Sequence, residues 1–318
     1  MKASVIRLRS ALPAALLTGA LFLTACGSSS DEPAASSTSG GAGTAAAAGL
    51  SVVASTNVWA SVARAVGGDA VTVTSVLDDP SADPHSFEAS PKVKLAMSQA
   101  AVVIVNGGGY DDWAVSTADS LDPVPTMIDA TEASGLDTSV EGFNEHVFYD
   151  LDAVGTVADA IAARLGEADP AQAATFTANA ATFTGELATL EDEVAALGAQ
   201  HPGTEVVVTE PVPGYLIQTL GFTDVTPPSF SEAVEAESEV SVKDLADTEA
   251  LITSKTATLL FNNTQTGGPV TDQLVAAAES AGVGVVGVTE TLPAGVDDYL
   301  TWMRDNLAEV ATALGGSA

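Results

Sequence analysis

The chain holds three histidines and one cysteine among its 318 residues, so chemistry that needs an imidazole or a thiolate is confined to few places. Apolar β-branched runs predict strands over 71–77, 205–209 and 284–288. The first leads into Asp83-Pro84-His85, the second directly into Glu210, and the third into Thr289-Glu290. His146 lies in the segment Asn144-Glu145-His146-Val147-Phe148-Tyr149-Asp150. In open parallel sheets, ligands bind beyond the carboxyl ends of the strands, where these side chains fall. Two neutral imidazoles and two carboxylates would neutralise one divalent cation. Nitrogen and oxygen donors without thiolate suit Zn²⁺ or Mn²⁺ better than copper(I) or an iron–sulfur cluster. Taken singly, a loop histidine or an acid after a strand is more often a cap or a surface group, and spacing alone does not make them a joint site.

The elements that must position these residues form two similar runs. In the first, strands are predicted over 50–55, 71–77 and 101–106, with helices at about 58–66, 91–98 and 111–118. In the second, strands fall at 205–209, 258–262 and 284–288, with helices near 213–220, 241–254, 269–281 and 297–314. Strand and helix alternate in both runs, which predicts an α/β protein: two Rossmann-like lobes with mostly parallel sheets. Between them, 151–167 reads as helix. Asp169-Pro170 then supplies an N-cap and a first-turn proline for a second helical run to about Ala199. Phe176, Phe183, Leu187, Leu190, Val194 and Leu197 recur there at helical spacing. At 1.5 Å per residue this is a rigid link of about 45 Å. The expected division is a leader at 1–25, a tether at 26–49, an N-terminal lobe at 50–168, the linking helix at 169–200 and a C-terminal lobe at 201–318.

Several of these motifs resemble the zinc/manganese solute-binding lipoprotein family of ABC importers, over about Val52 to Leu314. Val53-Ala54-Ser55-Thr56-Asn57-Val58-Trp59 resembles the family's opening strand and helix. Asp83-Pro84-His85-Ser86-Phe87-Glu88, followed by Ser90-Pro91, matches its first ligand motif. His146-Val147-Phe148-Tyr149-Asp150 resembles the second, with Phe148 where the family usually has tryptophan. Glu210 stands five residues before Tyr215, as the third ligand does, and Thr289-Glu290-Thr291 aligns with a pattern whose usual acid is aspartate. The resemblance implies His85, His146, Glu210 and Glu290 as ligands of one Zn²⁺ or Mn²⁺ ion carried as cargo. It also implies a membrane permease as partner. The long histidine-rich loop of zinc-specific members is absent, since residues 114–145 contain no histidine.

The amino terminus fits that expectation. Lys2, Arg7 and Arg9 precede an apolar run, from about Ala11 to Leu23, that is too short to span a bilayer and reads as a signal peptide. It ends in Leu23-Thr24-Ala25-Cys26, which resembles a lipobox, so Cys26 is expected to carry a lipid and to hold the protein on the extracytoplasmic face of the cell membrane. Residues 27–49, rich in Ser, Gly and Ala, read as a disordered tether, with a coil span of about 25–30 Å. Ten basic against 42 acidic residues give a net charge of −32, which argues against a nucleic-acid partner. A monomer is expected.

The remaining residues read more plainly. His201 follows the long helix, where a histidine suits the negative helix end. Asn106-Gly107-Gly108-Gly109-Tyr110 lacks the Lys-Ser/Thr pair of a phosphate loop and reads as a tight turn. Trp59, Trp113 and Trp302 read as packing, and the acids at 235, 237 and 239 as a solvated face or loop. A mononuclear metal hydrolase is disfavoured, because four protein ligands leave no open position and no H-E-x-x-H helix is present. A binder of chelated metal or another solute, or a surface adhesin, is the alternative; an enzyme is not expected.

Overall fold

The computed structural model describes residues 49–79 and 82–315. Cys26, the leader and most of the tether lie outside the described residues.

The first lobe carries strands β1 (Leu50–Thr56), β2 (Val71–Leu77), β3 (Val102–Val105) and β4 (Met127–Asp129), all parallel, in the order β2-β1-β3-β4. The second carries β5 (Glu205–Val208), β6 (Thr223–Asp224), β7 (Leu259–Asn263) and β8 (Gly284–Val288), all parallel, in the order β6-β5-β7-β8. The two sheets therefore share one topology and the expected α/β two-lobe class holds. In each, the chain turns from one direction along the sheet to the other between its first and third strands. That reversal makes the crevice at the carboxyl ends of those strands the natural ligand position. β4 and β6, of three and two residues, are edge strands that the sequence pattern does not predict.

Central strands buried on both faces read as unbroken apolar runs. Val102-Val103-Ile104-Val105 is such a run and is wholly buried, whereas edge strand β2 alternates partly buried with exposed positions. Helix α1 (Asn57–Gly67) follows β1 without a loop, and nine of its eleven residues are buried, so it is a core helix. Helices α2 (Pro91–Gln99) and α3 (Asp112–Asp119) cover the other face of the sheet, closing a small core around Val53, Met97, Val103 and Val105. Helix α4 (Ala130–Ser134) follows β4. In the second lobe, α7 (Gly214–Thr219), α8 (Pro228–Glu235), α9 (Val242–Thr253) and α10 (Pro269–Ala281) surround the sheet; Phe230, Ile252, Leu260 and Leu274 meet in its outer core.

Helices α5 (Leu151–Ala168) and α6 (Ala173–Gln200) run between the sheets, and α11 (Tyr299–Ala313) packs back onto α6 and α1. The long helix does not start at the expected Asp169 cap. Asp169 instead closes α5, its N–H donating to Leu165 O at 2.8 Å, and its carboxylate accepts from Ala171 N–H at 3.1 Å. The turn this makes delays α6 to Ala173. The helix has 28 residues, about 42 Å at the standard rise. Phe176, Ala180, Phe183, Leu187, Leu190 and Val194 form its buried stripe. At Gly198 a Cβ would lie 1.9 Å from Leu220 O, so only glycine lets α6 approach the end of α7 this closely. The main core is continuous across both lobes through these helices.

Candidate metal centre

Each side chain that faces the crevice is held by a local device. His85 sits in the loop after β2, where its N–H donates to Asp83 Oδ1 at 2.8 Å. The preceding carbonyl of Pro84 accepts from Trp113 Nε1 at 3.0 Å, and Phe87 packs edge-on against the same indole at 4.6 Å. Trp113 of α3 thus clamps the loop on both sides of the histidine. The His85 side chain is 27 % exposed.

His146 is fully buried and lies just ahead of α5, whose N-cap is Asp150, accepting from Ala153 N–H at 3.0 Å. Asn144 fixes its ring. The Asn144 Nδ2 donates to Pro211 O at 2.8 Å, so its Oδ1 faces the histidine and accepts from His146 N–H at 3.0 Å. The imidazole Nδ1 lies 2.7 Å from that same oxygen and must be the donor, so in the neutral ring the lone pair sits on Nε2, turned into the crevice. An acceptor that fixes the far nitrogen, here the Asn144 amide oxygen, supports a metal-binding imidazole as a carboxylate or backbone carbonyl usually does.

From the second lobe, Glu290 follows β8. Its Oε1 accepts from Asn263 Nδ2 at 2.7 Å, while Oε2 lies 3.6 Å from His85 Nε2 and 3.7 Å from His146 Nε2. Its own carbonyl accepts from Tyr110 Oη at 3.2 Å, and the Tyr110 ring stands edge-on to both histidines. Tyr110 reaches this position because Gly107, Gly108 and Gly109 all take positive φ. At Gly107, with φ +73°, a Cβ would fall 2.1 Å from Asp129 Oδ1, so a larger residue would be strained and would displace that carboxylate. The glycine triplet is the expected tight turn.

The structure brings together donor atoms of His85, His146 and Glu290, all within 4.8 Å of one another. Glu210 lies beside them without joining that group. It is buried, and both its oxygens are engaged, one by Asn263 Nδ2 and the other by Thr266 Oγ1. Asn263, at the end of β7, therefore grips Glu210 and Glu290 with one amide. Asn263 is a functional residue absent from the sequence expectation, although the signal that points to Glu210, position at a strand's carboxyl end, applies to it equally.

Glu235 corrects the expectation of a solvated acid. It is the last residue of α8, its side chain is 15 % exposed, and its Oε1 lies 3.3 Å from His85 Nε2 and 3.4 Å from His146 Nε2. The acid is turned inward because buried Phe230 seats α8 against the sheet. Glu145 also approaches, forming a second group within 4.8 Å with His85 and Glu235. Glu237 and Glu239 are exposed, as expected of them.

Charge dominates the electrostatics. Burial, the largest influence on both histidines, disfavours their protonated forms. For His85 the facing carboxylates of Glu235 and Glu290 outweigh it and push the pKa up to about 11. His146 is also raised, against its burial, by Glu290 and by the charges of Glu235 and Glu145. Burial would lift Glu290, yet the two imidazoles hold its carboxyl well below the usual range. Glu210 goes the other way, to about 7, because burial and the charges of Glu235 and Glu290 outweigh the pull of Thr266 and Asn263. The crevice is thus an anionic pocket that demands positive charge on the two Nε2 atoms, supplied by protons or by a cation bound between the lobes.

The three tryptophans pack as expected, with Trp59 Nε1 donating to Asn106 Oδ1 at 3.0 Å and Trp302 Nε1 to Thr289 Oγ1 at 3.2 Å. His201 caps the carboxyl end of α6, its N–H donating to Gly198 O at 2.9 Å.

A family model described as "Zinc-uptake complex component A periplasmic" matches residues 52–313. The manganese-binding lipoprotein MntA of Halalkalibacterium halodurans is 29 % identical over 137 residues, a match that spans 41 % of this chain and 44 % of that protein, less than half of either. Among solved structures, the periplasmic zinc-binding protein TroA of Treponema pallidum superposes with a TM-score of 0.72 at 18 % identity, over 84 % of this chain and 99 % of that one. The laminin-binding protein Lmb of Streptococcus agalactiae, described as a bifunctional protein with adhesin and metal-transporting activity, gives 0.70 at 25 % identity, over 84 % of this chain and 100 % of that one.

Proposed function

The chain belongs to the periplasmic zinc-uptake component A family, and from that premise we propose that it captures one divalent transition metal ion, Zn²⁺ or Mn²⁺, between its lobes and passes it to the permease of an ABC importer. In this reading it is a binding protein and not an enzyme. It works as a monomer held by a lipid on Cys26 at the extracytoplasmic face of the membrane, with lobes at 50–168 and 201–318 and the linking segment at 169–200. His85 and His146 from the first lobe and Glu290 from the second act as ligands of the cargo. Glu210, implied by the resemblance as the remaining ligand, lies next to them.

One observation carries the reading. The Nε2 of His146 is buried and makes no hydrogen bond, and the Oε2 of Glu290 is in the same condition, while the two face each other at 3.7 Å. Unpaired polar atoms in a dry site cost about 1–3 kcal/mol each, so a protein retains them where a ligand satisfies them. The elements supply the means, since a rigid ring on one lobe meets a carboxylate fixed by Asn263 on the other.

Titration of chelator-stripped protein with Zn²⁺ and with Mn²⁺ tests the proposal. One ion per chain is expected, and His146→Ala is expected to weaken binding by about a hundredfold or more, since one ligand of about four is lost. Unchanged stoichiometry and affinity in His146→Ala would refute it.

A further inference from the structure

We propose that Asn263, the last residue of β7, is a specificity-determining residue: its side-chain amide restricts Glu290 to a single coordinating oxygen, which tilts the site toward Zn²⁺ and away from Mn²⁺. The inference rests on the capture reading above and specifies how the site discriminates between its two candidate ions.

Asn263 is fully buried and tied down on several sides. Its backbone N–H donates to Thr209 Oγ1 at 2.9 Å, and its Oδ1 accepts from Gln265 N–H at 3.1 Å. The second bond fixes which end of the amide is which, so Nδ2 is the end that faces the acids. An amide nitrogen carries two hydrogens. One goes to Glu290 Oε1 at 2.7 Å and the other to Glu210 Oε2. The backbone of Glu290 is held as well. Gln265 Oε1 accepts from the N–H groups of Glu290 and Thr291, and Gln265 Nε2 donates to Thr291 Oγ1 at 2.8 Å. With its backbone and one oxygen fixed, the Glu290 carboxylate has little freedom to turn.

The two oxygens of Glu290 thus differ in kind. Oε1 is bound to Asn263, whereas Oε2 is buried, accepts no hydrogen bond and lies 3.6 and 3.7 Å from the Nε2 atoms of His85 and His146. Binding an ion through Oε2 leaves every one of these hydrogen bonds in place. Chelating it through both oxygens would draw Oε1 off Asn263 and leave a buried amide N–H unpaired, which is costly. Together with one oxygen from Glu210, the two imidazoles and Glu290 Oε2 supply four donor atoms. That number suits Zn²⁺, which is four-coordinate and tetrahedral in closed protein sites, while Mn²⁺ favours six and gains from a chelating carboxylate.

Competition of the full chain with a fluorescent chelator, run with Zn²⁺ and with Mn²⁺, tests this on the wild type, N263A and H146A. N263A frees Glu290 Oε1, so Zn²⁺ affinity is expected to fall by about tenfold, as for other residues that orient a ligand, while Mn²⁺ affinity holds or rises. The ratio of Zn²⁺ to Mn²⁺ affinity then drops by about tenfold or more, whereas a loss of packing alone would weaken both ions alike. If the ratio in N263A stays within about threefold of the wild type, or moves toward Zn²⁺, while H146A loses binding, Asn263 does not set the preference and the capture reading survives. If H146A binds both ions normally, the capture reading fails and takes this one with it. Should N263A fail to fold or to bind either ion, crystal structures of the wild type loaded with each ion decide. Glu290 Oε1 staying about 2.7–3.2 Å from Asn263 Nδ2 with both ions supports the assignment, and Oε1 leaving Asn263 to chelate either ion overturns it.

Discussion

At the scale of single residues, protons and the cargo ion compete for the same nitrogen atoms. His85, with its pKa raised to about 11, holds its proton through neutral pH, and His146 is shifted in the same direction. Because the imidazoles must be neutral to coordinate, binding a divalent ion expels protons, and affinity is expected to rise steadily with pH. The sign for stability without metal is the reverse. A histidine whose pKa is higher folded than unfolded contributes its full stabilisation below about 6.5 and loses it as pH climbs towards 11. Glu210, raised to about 7, also favours the folded state only while it keeps its proton. The melting temperature of metal-stripped protein is therefore expected to fall between pH 6 and 9, while the increment added by metal grows. Thermal scans with and without saturating Zn²⁺ check this; a gap that narrows with rising pH would contradict it.

At the scale of elements, the ligands depend on how helices begin and end. Asp150 caps α5 four residues after His146, so Asp150→Ala is expected to cost about 1 kcal/mol in stability and also to loosen the histidine, lowering metal affinity. Leu190→Ala, in the buried stripe of α6, is expected to cost about 2–5 kcal/mol with affinity unchanged in the folded fraction. Denaturant melts paired with metal titrations separate the two cases.

Strands and helices of strong period were legible in the sequence: the wholly apolar β3, the alanine-rich α6 and both nucleotide-fold-like alternations. β4 and β6 were not, because strands of two or three residues carry no period. α8 was missed for a different reason. Eight residues starting Pro-Ser and followed by an acid-rich stretch look like surface, and only the burial of Phe230, a tertiary fact, turns Glu235 inward. His85, His146 and Glu290 could be read from strand ends and motifs. The hydrogen bonds that occupy Glu210 could not, since Asn263 and Thr266 lie more than fifty residues away.

At the scale of the whole molecule, no described helix is long and apolar enough to cross a membrane, and the proposed attachment is a lipid on Cys26. Cys26→Ala is expected to release the protein from the membrane fraction while leaving the metal affinity of the purified chain unchanged. Fractionation of cells expressing both forms reads this directly; a variant that stays with the membrane would rule the anchor out.

The lobes also meet through directed bonds beside the crevice. The Asn57 side chain donates to Leu292 O at 3.1 Å and accepts from Leu292 N–H at 2.9 Å, while Tyr149 Oη donates to Thr289 O and Tyr215 Oη to Asn144 O, each at 2.8 Å. Parting the walls would strip several backbone groups at once, and each of these bonds contributes about 1 kcal/mol. Escape of the ion is then an activated event timed by breaking this seam, not by diffusion of two free bodies. Its rate should climb steeply with temperature and respond little to added viscogen, and Asn57→Ala should shorten the dwell time of the ion with little change in its rate of capture. Stopped-flow chelator chase gives both rates, and a dwell time that tracks solvent viscosity would show that the seam is not what holds the ion.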